Sequence, residues 1–377
     1  MAQDKDLKTP NVPPLRFPGF TDEWEKTSLG EIGETLIGLT YSPKDVVENG
    51  GTIVFRSSNI QNGMIDYSDL VRVNKSIKER IITKENDILV CARNGSTRLI
   101  GKNTLLKKSD SGNTFGAFMM IYRSEDNDIV HPILSTRRYF SQVSENLGAR
   151  INQITTSDLN SFEFNLPNNP EEKRKIGKLF QLINERIATQ NKIIDNLKSL
   201  IKGLAKELTT VGTPNMCIKD CTECHSSALQ ENCVQDYGNF PVYGASGVAG
   251  YTNDYQNDGE AILIIKDGSG VGTLTYVNDR FSIIGTLNYL TTKPQISLKY
   301  LYFCLMSFNF ETYKTGMAIP HIYFKDYGSA KIWCPPIDEQ EKIAITLSAI
   351  ENKFNVESIL LQSLISKKQY LLSQLFI

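Results

Sequence analysis

The chain is 377 residues long, 40% hydrophobic and 22% charged, the make-up of an ordinary globular protein too long for one core. Its 41 basic and 42 acidic side chains leave a formal net charge of -1, which excludes a binder that grips nucleic acid by bulk charge alone but not one that reads bases through local loops. No apolar run approaches the roughly 18 residues of a membrane span, and the seven cysteines are irregularly spaced, so reduced thiols in a cytoplasmic protein are expected.

Residues 1–20 open MAQDKDLKTPNVPP, a polar, proline-rich stretch that reads as an N-terminal tail without the apolar segment of a signal peptide. Residues 21–167 read as a first β-rich domain. Within it, 88–92 is a short apolar run of the kind buried in a sheet, a Gly-Ser turn follows, and a helix fits 135–146. From 168 to 212 the period changes. Ile176, Phe180, Ile183, Ile187, Ile194, Leu197, Ile201, Leu204 and Leu208 recur on steps of three and four, broken only at Gln190. Asn169 can cap this helix, Pro170 suits its first position, and Glu171 and Glu172 face its positive end. Gly212 and Pro214 stop it.

Residues 213–335 read as a second β-rich domain, with an apolar run at 261–265, its own Gly-Ser turn, and a helix at 298–308. Residues 336–377 restore the stripe with Ile343, Leu347, Ile350, Phe354, Leu361, Leu364, Leu371 and Leu375, broken at Glu357 and Lys368. Asp338-x-x-Glu341 has the form of a capping box. A three-four stripe held this long is a coiled-coil seam, and two such helices in one chain can bury their seams against each other. Each rod would be roughly 50 Å long, a ruler with a domain on each end. Paired antiparallel, the rods would bring Gln190 and Glu357 together as a polar layer that fixes register.

The second helix repeats the first 167 residues later, and landmarks outside the helices pair in order. Leu29-Gly-Glu-Ile32 matches Ile218-Lys-Asp-Cys221 at offset 189, Asp87-Ile-Leu-Val90 matches Ala261-Ile-Leu-Ile264 at 174, and Gly95-Ser96 matches Gly268-Ser269 at 173. Ile100-Gly101 matches Val271-Gly272 at 171, Phe115-Gly116-Ala117 matches Ile284-Gly285-Thr286 at 169, and Ile154, Asp158 and Pro167 match Ile322, Asp326 and Pro335 at 168. A falling offset with preserved order means one module written twice, each a globular part followed by a heptad helix.

Catalytic motifs are sparse. Cys217-x3-Cys221-x2-Cys224-His225, with Cys233 downstream, has some metal-like spacing, but Cys221 aligns with the apolar Ile32, so buried or half-exposed thiols are expected and no metal ligand is assigned. Gly268-Ser-Gly-Val-Gly272 resembles a phosphate loop, yet the alternating Thr273-Leu-Thr-Tyr-Val277 follows where a helix should open, so a hairpin turn is expected. No GxxxxGK[ST] and no Asn-Pro-Pro-Tyr/Phe occurs, and His131, His225 and His321 have no nucleophile at a recognisable spacing, so no catalytic residue is assigned. The turns after the repeated strand are polar in both copies. Arg93, Asn94, Ser96, Arg98 and Lys102 cluster in the first; Lys266, Asp267 and Ser269 occupy the second. Arg and Lys suit guanine, Asn adenine and Asp cytosine, so these eight are the candidate DNA-binding residues.

Leu15-Arg-Phe-Pro-Gly-Phe-Thr-Asp-Glu-Trp24, Ser58-Asn-Ile-Gln-Asn-Gly63, Glu85-Asn-Asp-Ile-Leu-Val90, Phe240-Pro-Val-Tyr-Gly-Ala-Ser246 and Pro336-Ile-Asp-Glu-Gln-Glu-Lys-Ile343, in that order and with the duplication, resemble the specificity subunit of type I restriction–modification systems over nearly the whole chain. The resemblance implies an α+β chain of two pseudo-repeated target-recognition domains (21–167 and 213–335) separated by two long antiparallel coiled-coil helices (168–212 and 336–377). It implies that each domain reads one half of a split site on double-stranded DNA, with the rods setting the gap. The implied partners are two methylation subunits, which hold the cofactor S-adenosylmethionine, and two motor–nuclease restriction subunits; this chain would bind no cofactor of its own. It does not transfer base-contacting residues. Two other readings stay open on the residues alone: a coiled-coil adaptor whose β-rich modules bind proteins or glycans, and an enzyme with a metal or nucleotide site around 217–233 or 268–272.

Overall fold

The computed structural model describes residues 11–147 and 152–376; of the expected N-terminal tail, residues 1–10 lie outside that range. The chain divides into two compact units. One takes the chain up to Asn191 together with the part from Leu360 onward, and the other is Lys192–Ile359. Each long helix, Pro170–Thr209 and Ile337–Leu375, therefore contributes part of its length to each unit.

In the first unit a four-stranded antiparallel sheet orders Glu34–Ile37, Met119–Arg123, Ile88–Cys91 and Asn103–Leu105. The strand Ile88–Cys91 is apolar throughout because both of its faces are covered. Ile88 and Val90 enter one core with Trp24, Tyr122, Ile176 and Phe180, while Leu89 and Cys91 enter a second with Phe55, Phe115 and Ile121. The first core also holds Leu372 and Leu375, so the start of one long helix meets the end of the other and the two run antiparallel.

The second unit repeats this plan. Thr222–Ser226, Leu287–Thr292, Asn257–Ile265 and Leu274–Ile283 follow in the same order within a six-stranded sheet. Ile262 and Ile264 enter one core with Ile201, Ala205, Ile343, Ala344 and Leu347; Ala261, Leu263 and Ile265 enter another with Val242, Phe281 and Ile283. All the seam positions expected from the heptads, Ile176 through Leu208 and Ile343 through Leu375, are buried or half-buried. The polar breaks Gln190 and Glu357 are buried too, at 1% and 8% exposure, and Glu357 pairs with Lys353 one turn earlier.

Two local expectations need correction. Asp338 does not cap the second helix. The helix starts at Ile337, the Glu339 and Gln340 N–H groups donate to the Pro336 carbonyl, and the Gln340 side chain braces the start by donating to the Pro335 carbonyl and accepting from the Ser297 N–H. The first helix keeps its expected cap, since Asn169 Oδ1 accepts from the Glu171 N–H at 2.9 Å. The repeat register also moves. Gly116 aligns with Ile284, offset 168, since Met119 and Leu287 N–H groups donate to those two carbonyls.

Candidate nucleic-acid interface

The loops after the two central strands are framed by the same main-chain bonds. In the first unit the Ala92 and Arg93 N–H groups both donate to the Phe118 carbonyl, Asn94 N–H donates to the Asn152 carbonyl, and Ile154 N–H donates to the Ala92 carbonyl. In the second, Lys266 and Asp267 N–H groups both donate to the Thr286 carbonyl, Gly268 N–H donates to the Pro320 carbonyl, and Ile322 N–H donates to the Lys266 carbonyl. The return strands match as well. Gly101 N–H donates to the Cys91 carbonyl as Gly272 N–H does to Ile265. Both glycines need left-handed backbone, at φ 80 and φ 88, and a Cβ on Gly272 would sit 3.0 Å from Phe310.

These bonds overturn the Gly-Ser correspondence. Asn94 aligns with Gly268 on the way in, and Thr97 aligns with the same Gly268 on the way out, because Ile100 and Val271 donate to those two carbonyls. The first loop therefore carries three extra residues, and Gly95-Ser96 lies inside that insertion. Arg93 is the counterpart of Asp267, Arg98 of Ser269, Lys102 of Thr273, and the buried Ala92 of Lys266.

The candidates differ in what they are free to do. Arg93 and Arg98 are exposed, Lys102 is half-buried, and no ion pair among the described residues engages any of the three. The Arg93 guanidinium lies 4.9 Å from the ring centre of Phe118, itself 58% exposed. Asn94 is occupied in bracing the loop: its Nδ2 donates to Ser57 Oγ at 3.0 Å and its Oδ1 accepts from the Ser96 N–H at 3.0 Å. In the second unit Lys266 and Asp267 are half-buried and Ser269 is exposed. A cleft of about 1090 Å³ opens beside the first loop, walled by Leu39, Tyr41, Val46 and Phe118 and edged by Arg56 and Arg93. Phe118, Ser57 and Asn152 were absent from the sequence-based set. Phe118 is detectable as an aromatic in the short turn between two apolar strands, whereas Ser57 and Asn152 reach the loop only through the fold.

Cys91, Cys221, Cys304 and Cys334 are buried, Cys217 and Cys224 half-buried, and Cys233 exposed. Burial pushes the Cys91 and Cys224 thiols up to about 11 and Cys304 up to about 12. Cys221, hydrogen-bonded to Cys334 and buried, is also held up. Among the described residues no group of three or more His, Cys, Asp or Glu side chains is placed to hold a metal, and no helix is long and apolar enough to cross a membrane. The glycine-rich stretch 268–272 turns between antiparallel strands, as a hairpin should.

The strand order and the framed loops define a duplicated, two-module chain. Residues 21–199 and 213–364 each match the model of the type I restriction modification DNA specificity domain, and the chain belongs to that family. It is 23% identical, over 93% of its own length and 92% of the other's, to a Methanocaldococcus jannaschii protein named as the MjaX type I restriction enzyme specificity subunit. It is 26% identical to the StySPI specificity subunit of Salmonella potsdam over 49% of this chain and 40% of that one. A match at 32% identity to a type I specificity subunit of Mycoplasma pneumoniae covers 35% of this chain and 44% of that protein, so the matched stretch spans less than half of either relative. The crystal structure of the S subunit from M. genitalium shares the fold, with a TM-score of 0.70 at 18% identity across 97% of this chain and 99% of that one.

Proposed function

We propose that this chain supplies the DNA address of a type I restriction–modification complex and does no chemistry itself. Each unit reads one half of a split double-stranded site, and the two long helices set the gap and dock two methylation subunits, with two motor–nuclease subunits completing the assembly. S-adenosylmethionine belongs to the methylation subunits in this reading. The observation that carries it is the pair of loops framed by identical main-chain bonds but bearing different side chains, Arg93 and Arg98 in one, Asp267 and Ser269 in the other. One scaffold with two side-chain sets suits two different half-sites, since donors and acceptors on base edges carry sequence information and the scaffold does not. A chain of near-zero net charge fits a complex in which partners provide much of the phosphate grip.

The test is methylome sequencing of a host without other methyltransferases, expressing this chain with its methylation subunit. A split motif methylated in both halves, and lost when this chain is omitted, is the expected result. A stable complex that methylates no defined sequence would overturn the reading.

A further inference from the structure

Beside its candidate loop the second unit carries an apolar knob that belongs to neither of its cores. Residues 315–321 close a tight hairpin, with the Thr315 and His321 N–H groups each donating to the other's carbonyl at 2.9 and 2.8 Å. Gly316 turns at φ 88, and a Cβ there would lie 2.3 Å from the Ile319 carbonyl oxygen, so the turn admits no side chain. At the tip Met317 is fully exposed and Ile319 is 66% exposed. The knob is fixed in place. His321 bridges Asp267, and the main-chain bonds from Gly268 to Pro320 and from Ile322 to Lys266, both 2.9 Å, tie it to the loop.

Two apolar side chains on a rigid, solvent-facing turn call for a partner that covers them, and a preorganised turn loses little freedom when one arrives. Their neighbours through these bonds are Lys266, Asp267 and Gly268, with Ser269 next along the loop, and Lys266, Asp267 and Ser269 carry polar groups suited to base edges in the major groove. Among the groups displayed there, the apolar mark is the C5-methyl of thymine. We propose that Met317 and Ile319 are specificity-determining residues that recognise a thymine methyl group in the half-site read by the second unit. This rests on the reading of the chain as a DNA-address subunit.

Once the methylated target is mapped, duplexes are made with each thymine replaced in turn by uracil, which removes the methyl group alone. Binding to the assembled methylation complex is read by fluorescence anisotropy. One uracil is expected to weaken binding about fourfold, as for one methyl group left in water. The M317A/I319A chain should lose that penalty, while the M317L and R93A chains keep it. A penalty that persists in M317A/I319A, or a mapped target at which no uracil matters, would overturn the inference while leaving the address reading intact. A complex that methylates no sequence overturns both.

Discussion

Arg93 is the residue whose chemistry is most exposed to test. Its guanidinium is unpaired among the described residues and lies over Phe118, which limits the orientations it samples. Arg93→Ala should cost about 1–3 kcal/mol of discrimination at one base pair of one half-site, leaving the other half unchanged. Methylation rates on duplexes substituted position by position read this directly. Asp87 is a structural counterpart. It is buried and takes two 2.7 Å hydrogen bonds from Arg123, whose pKa is raised chiefly by that contact. Asp87→Ala leaves the guanidinium on the Arg80 and Ile82 carbonyls without its buried counter-charge and should cost about 3–5 kcal/mol in chemical denaturation. His131 gives the pH dependence. It is half-buried in a cleft with Asp128, Glu185 and Lys368, and burial, helped by the Lys368 ammonium, pushes its imidazole from 6.5 down to about 4. Between those values the unfolded chain binds a proton that the folded chain does not. This contribution is therefore fully present above about pH 6.5 and is lost as the pH falls toward 4. Between pH 7.5 and 5 the melting temperature of wild type should fall relative to that of His131→Leu, which has no proton to bind.

At the scale of elements, the helices carry the plainest signal. A three-four stripe is local, so the seam was legible residue by residue, and Leu347 lies where it predicts, fully buried with Ile201, Ala205 and Ile343. Leu347→Ala should cost about 2–5 kcal/mol, whereas Leu200→Ala, on the 46% exposed face, should stay within about 0.5 kcal/mol; urea midpoints distinguish them. The central strands were legible as buried because apolar runs without alternation need cover on both faces. The loop register was not. The drop in offset from 174 to 171 already implied three extra residues in the first loop, but a chance Gly-Ser pair in each copy hid where they lie, and hydrogen bonds to Phe118 and Thr286, distant in sequence, together with those to Thr97 and Gly268, place them. The start of the second helix was misread for a similar reason: Gln340 reaches the Ser297 N–H from 43 residues away, a contact no local motif encodes.

For the whole molecule, the duplication and the family were legible because they rest on order and period. The candidate side chains rest on neither: Asn94 was chosen for its chemistry and its side chain also bonds within the loop, while the proposed readers Met317 and Ile319 had no polar character to draw attention. If the rods set the gap, inserting one heptad at matched positions in both helices keeps the seam in phase and adds roughly 10 Å, or about three base pairs at 3.4 Å each. The methylome of that variant should show both half-site sequences unchanged and a longer spacer. An altered half-site, or an unaltered gap, would count against the ruler.

The loops are suspended chiefly from carbonyls and amides, which every residue but proline possesses alike. A codon change at Arg93, Arg98, Asp267 or Ser269 therefore alters what the loop displays without touching what suspends it. On the proposed reading, a lineage carrying such a chain acquires a new target by point mutation with little penalty to folding. The set of addresses it recognises then drifts as quickly as selection allows, held back mainly by the need to mark its own genome at the new sites.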